Sequence, residues 1–79
     1  MHETVLSKGE LCIVFREPLW ITRLLFPIRF QIQVRGRALV TGKLSDFTWI
    51  ATETAARLDR DGLGEVASDL RRLAMALEP

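Results

Sequence analysis

A chain of 79 residues that is 48% hydrophobic and 27% charged has a globular rather than a disordered composition. At that length it forms one domain, residues 1–79, and buries only about 60% of the surface its unfolded chain exposes. One Cys and one His exclude an internal disulfide and leave no ligand set for a structural zinc ion, so self-association or a partner is the remaining way to supplement a small core. The net charge of +1 hides a division: residues 1–44 carry seven Lys and Arg against three Asp and Glu, and residues 45–79 carry four against seven. The pattern predicts an electrically two-faced molecule.

In chain order, residues 1–9 place Glu3 and Lys8 where a secretion signal needs a basic start and a longer apolar run, and the segment reads as a mobile terminus. A cytoplasmic location is therefore expected, and a reducing interior suits an unpaired Cys12. Residues 10–16, ELCIVFR, read as a strand covered on both sides, with Leu11, Ile13 and Phe15 on one face and Cys12 and Val14 on the other. Pro18 then turns the chain. The segment from Leu19 to Pro27 fits neither a strand nor a helix period, and with Arg23 and Pro27 inside it falls short of a membrane span.

Residues 28–35 alternate cleanly. Ile28, Phe30, Ile32 and Val34 point one way, and Arg29, Gln31, Gln33 and Arg35 the other. A turn at Arg35 and Gly36 makes a hairpin with residues 37–42 the preferred reading. Past Gly42 the period changes. Ser45 or Asp46 caps a helix whose stripe is Phe47, Ile50, Ala51, Thr54, Ala55 and Leu58, and Gly62 ends it. Leu63, Val66, Leu70, Leu73 and Leu77 form a second stripe, widened by Ala67 and Ala74. The expected fold is α+β: an antiparallel sheet of two to three strands over about residues 10–42, with two C-terminal amphipathic helices, about 45–60 and 63–77, packed on one face.

No residue constellation points to catalysis. There is no Tyr, and Cys12 sits in an apolar run that predicts a buried, inert thiol. Asp59 and Asp61 in DRDG lack the further oxygen ligands of a calcium loop. No cofactor, no metal and no catalytic residues are expected. Two surfaces stand out instead. Trp20, Leu24, Leu25 and Phe26 are large apolar residues of the kind that anchor protein interfaces. Arg29, Gln31, Gln33, Arg35 and Arg37, with Lys43, form a cationic, amide-rich set suited to carboxylates or to base edges and phosphates. Trp49 lies beside its helix stripe rather than in it, where it can face a second subunit or a ligand.

A strand with outward Arg29, Gln31 and Gln33 followed by two helices resembles, in outline, the ribbon-helix-helix family of dimeric DNA-binding repressors. The resemblance implies a two-stranded ribbon shared by two chains. The sequence departs from it in the 27 residues before the strand, in the hairpin that intervenes, and in DGLGEV, where Asp61 and Glu65 oppose phosphate. The leading expectation is a small non-enzymatic protein-binding module, an inhibitor that sterically occupies a surface of a larger bacterial assembly. Phage-encoded anti-defence proteins, anti-CRISPR proteins among them, are typically this small and free of motifs. A homodimer is expected, through the sheet edge or residues 19–26. The alternative is a dimeric nucleic-acid-binding protein, a small transcriptional repressor, using the Arg and Gln strand face.

Overall fold

The computed structural model describes residues 2–17 and 28–77. Four strands, β1 (His2–Lys8), β2 (Leu11–Glu17), β3 (Arg29–Val34) and β4 (Arg37–Lys43), form one antiparallel sheet in the order β1-β2-β3-β4. A single 3₁₀ turn over Leu44–Asp46 leads into α1 (Phe47–Arg60), and α2 (Gly64–Leu77) follows after a three-residue link. The α+β class and the two helices are as expected. The sheet has four strands rather than two to three, because residues 2–8 pair with β2 along their whole length instead of trailing as a mobile terminus. The segment holding Trp20, Leu24, Leu25 and Phe26 lies outside the described residues.

Two tight turns set the registers. Lys8 pairs with Leu11 across Gly9 and Glu10, and Gly9 has φ +57°, as a turn with left-handed backbone at its first central residue requires. Val34 pairs with Arg37 across Arg35 and Gly36, and both central residues have positive φ, +55° and +78°. That is the type I′ pattern, whose twist matches the flanking strands. Arg35 adopts it without being glycine, and the Arg35 amide donates to the carbonyl of Glu10, 3.0 Å away, which ties the two turns together.

Cross-strand partners share a face, so the register sorts every strand residue. On the helix-facing side, Phe15 and Phe30 stand beside Gly42, and Ile13 and Ile32 beside Val40, with Leu11 and Val34 adjacent. These side chains meet Phe47, Ala51, Ala55 and Leu58 of α1 and Val66, Ala67, Leu70 and Ala74 of α2 in one buried cluster. Phe47 is wedged between two rings, 4.9 Å edge-on from Phe30 and 5.7 Å from Phe15. Gly42 leaves room for Ile50 and the Phe30 ring: a Cβ there would lie 2.7 Å from Ile50 Cδ1 and 3.2 Å from the Phe30 ring. Alanines at 51, 55, 67 and 74 let the two helices approach closely. Leu77, expected in the second stripe, is 44% exposed at the last residue of α2.

A bulge interrupts β4. Ile32 pairs with Val40 and Gln33 with Ala38, which leaves Leu39 as an extra residue. Both Leu39 and Val40 are then half-buried against the core. The N-cap of α1 is Asp46, one of the two expected caps, although its side chain makes no capping hydrogen bond. Asp61 and Gly62 terminate α1, Gly62 at φ +79°, and Asp59 binds Arg71, so DRDG is a helix end.

Candidate functional site: the outer face of the sheet

The helices cover one side of the sheet, and of the residues singled out in the sequence the other side collects Arg29, Gln31, Gln33 and Lys43. Its rows follow from the registers. One row reads Glu3, Arg16, Arg29, Lys43 across β1 to β4; the next Val5, Val14, Gln31, Thr41; the third Ser7, Cys12, Gln33, Ala38. Arg29, Gln31 and Gln33 are thus brought together as the alternation indicated. Arg35 and Arg37 are not part of that face. Arg35 sits at the turn, where its Nε donates to Glu10 Oε2 at 2.9 Å. Arg37 pairs with Val34 and so stands on the helix side of the sheet, exposed at its end. A two-residue turn reverses the chain, and alternation counted straight through it no longer reports a common face.

The first row concentrates charge. Three cations, Arg16, Arg29 and Lys43, are directly opposite one another on adjacent strands, where Cβ atoms stand about 4.5–5.5 Å apart and like charges are destabilising. Arg16 is answered by Glu3, with Nε 3.5 Å from Oε2. Among the described residues no carboxylate pairs with Arg29 or Lys43. Below the cations, Gln33 Nε2 donates to Gln31 Oε1 at 2.6 Å, which fixes both half-buried amides and leaves the Gln31 amide hydrogens and the Gln33 carbonyl oxygen to be used elsewhere. Val14 is buried at the centre of the face, between Val5 and Gln31. Cys12, expected to be buried, is half-buried beside Ser7 and Gln33.

Arg16 was the residue the sequence hid. It closes a strand whose apolar character drew attention to Leu11–Phe15, and only the pairing of β2 with β3 sets it beside Arg29. Among the described residues no group of three or more His, Cys, Asp and Glu is placed to hold a metal ion, and no helix is long and apolar enough to cross a membrane. Among the described residues, two shallow clefts lie off the outer face. One, of about 370 Å³, is framed by the two turns and the start of α2, and the other, of about 290 Å³, lies between Leu39 and Val40 of β4 and Glu53, Arg57 and Arg60 of α1. Neither gathers a nucleophile with a base. Away from the outer face, Trp49 near the start of α1 is 60% exposed and Met75 near the end of α2 is 73% exposed. Comparison with protein-family models, with curated proteins and with solved structures gives no match.

Proposed function

We propose that the protein is a small non-enzymatic binding module that docks the outer face of its sheet on an acidic protein surface and acts by occupying it. The observation that carries this reading is the row Arg16, Arg29, Lys43. Folding alone disfavours three cations side by side, and a carboxylate-bearing partner would relieve them. Gln31 and Gln33 supply oriented amide donors and an acceptor beside the row, and Val5, 54% exposed next to buried Val14, supplies an apolar contact. A 79-residue chain of this kind suits steric inhibition of a larger bacterial assembly, the mode of phage-encoded anti-defence proteins.

Nucleic acid is the less favoured partner on geometric grounds. The major groove, about 12 Å wide, admits a two-stranded ribbon, whereas the outer strands of this sheet are about 14 Å apart between axes before side chains are added. Both neighbours of β3 come from its own chain, unlike the shared ribbon of the ribbon-helix-helix repressors. No aromatic side chain stands in the three rows to stack on a base.

Fluorescence anisotropy with three labelled probes tests the reading: a polyglutamate peptide, a mixed-sequence duplex and a single strand, each with the wild type and with Arg29→Ala/Gln31→Ala. Binding of the peptide that weakens at least tenfold in the variant supports an acidic protein partner. Tighter binding of either nucleic acid, lost in the variant, replaces it with the nucleic-acid reading. No binding of any probe at low salt rejects the outer face as a site for anions.

A further inference from the structure

Among the described residues the sheet is open at both edges, β1 on one side and β4 on the other. An unpaired edge invites another strand, and proteins commonly guard it with a charge or a bulge. Both guards are present here: Glu3 on β1, Lys43 on β4, and the bulge at Leu39. The two charged guards have opposite sign and lie in the same row. We infer that the chain associates head to tail with a second copy of itself, β4 of one copy pairing antiparallel with β1 of the next.

The register follows from the rows. Lys43 opposite Glu3 of the second copy places Gly42 by Thr4, Thr41 by Val5, and Val40 by Leu6. Three of the four pairs match in kind, and Gly42 by Thr4 opposes no charge. The outer face gains an ion pair and a β-branched pair, and the helix-facing side gains an apolar pair beside the cleft over Leu39 and Val40. Strand direction alternates correctly through the junction, since β4 and β1 run oppositely in a continuous antiparallel sheet. Pairing stops at the bulge, so the contact uses Val40–Lys43 only.

The helix layer accommodates the same step. Four strand spacings are about 19 Å at 4.7–4.9 Å each, and two helix spacings are about 16–20 Å. A copy advanced by one sheet width therefore sets its α2 against α1 at ordinary packing distance. The α1 side bordering β4 carries Glu53, Arg57 and Arg60. The α2 side bordering β1 is marked by Asp69, whose Oδ1 lies 3.4 Å from Lys8 Nζ, and its stripe is Glu65, Asp69 and Arg72. Arg57 and Arg60, on the last turn of α1, come level with Glu65 on the first turn of α2, and Glu53 with Arg72 near the helix middles. Among the described residues none of these five forms an ion pair within its own chain.

Two-fold pairings fit less well. β4 against β4, kept clear of the bulge and centred on Gly42, sets Lys43 opposite Thr41, and β1 against β1 about Val5 sets Glu3 opposite Ser7, so neither gains an ion pair. A head-to-tail contact repeats, so it builds chains longer than a dimer unless the rotation closes them into a ring.

Sedimentation equilibrium over a wide concentration range tests the inference with wild type, Lys43→Glu, Glu3→Lys and an equimolar mixture of the two variants, with circular dichroism confirming that each is folded. The expected result is a wild-type mass that climbs past the dimer and at least tenfold weaker association of each variant alone. In the mixture association should return. The two variants then alternate, the exchanged charges at positions 43 and 3 attracting at one junction and the native Lys43 and Glu3 at the next. A wild type that is monomeric throughout, or that stops at the dimer, overturns the head-to-tail contact. Variants that associate like the wild type, or a mixture no stronger than its components, overturn it equally. The outcome is independent of the partner probes above, which report on Arg29 and Gln31.

Discussion

On the side of the sheet turned to the helices, Phe30 and Ile32 are 2% and 0% exposed and stand beside residues chosen to fit them, Gly42 for the one and Val40 for the other. One residue along the same strand, on the outer side, Arg29 stands between Arg16 and Lys43. The same four strands thus carry a face arranged for folding and a face whose charges work against it. Residues that lower the stability of a chain this small, where about 4–12 kcal/mol is the whole margin, need a reason other than the fold, and binding is the reason proposed.

That contrast can be broken from either side. Ile32→Ala should have the largest effect, a loss of about 2–5 kcal/mol from the cavity left in a fully buried site, read from urea denaturation; a loss below about 1 kcal/mol would mean the helix-facing side is not the core. Gly42→Ala should lose about 1–3 kcal/mol by overpacking against Phe30 and Ile50, and Ile50→Val in the same chain should return part of it, because Ile50 Cδ1 is the closest obstacle. Equal losses in the single and double variants would place the strain elsewhere. Glu3→Gln should lose less, about 0.2–1 kcal/mol, since its pair with Arg16 is exposed, and the loss should fade in high salt. Smallest is Trp49→Ser, expected within about 0.5 kcal/mol of wild type because the ring is mostly exposed; a larger loss would show that Trp49 is packed and unavailable to a partner.

Much of the helix-facing side was legible in the sequence. The spacing of Phe47, Ala51, Ala55 and Leu58, and the alternation of Phe30, Ile32 and Val34, follow directly from helical and strand periods, and those residues are buried as expected. The strand β1 was hidden because an edge strand needs burial on one side only, and HETVLSK offers just Val5 and Leu6 as apolar residues, one on each face. The outer face was legible along β3 but not across it. Alternation names Arg29, Gln31 and Gln33, whereas the neighbour Arg16 depends on the register of β2 with β3, and Lys43 on the turn at Arg35 and Gly36 together with the bulge at Leu39. The turn at Arg35 and Gly36 also removed those two arginines, Arg35 and Arg37, from the face.

The most direct measurement is the urea midpoint of Arg29→Glu against wild type, at low salt and again at high salt. A carboxylate between Arg16 and Lys43 turns two repulsions into two attractions, so the variant should be more stable by about 0.2–1 kcal/mol per corrected pair at low salt, with the gain shrinking as salt screens it. A variant less stable than wild type at low salt, or a gain indifferent to salt, would contradict the claim that the outer face holds its cations at the expense of the fold.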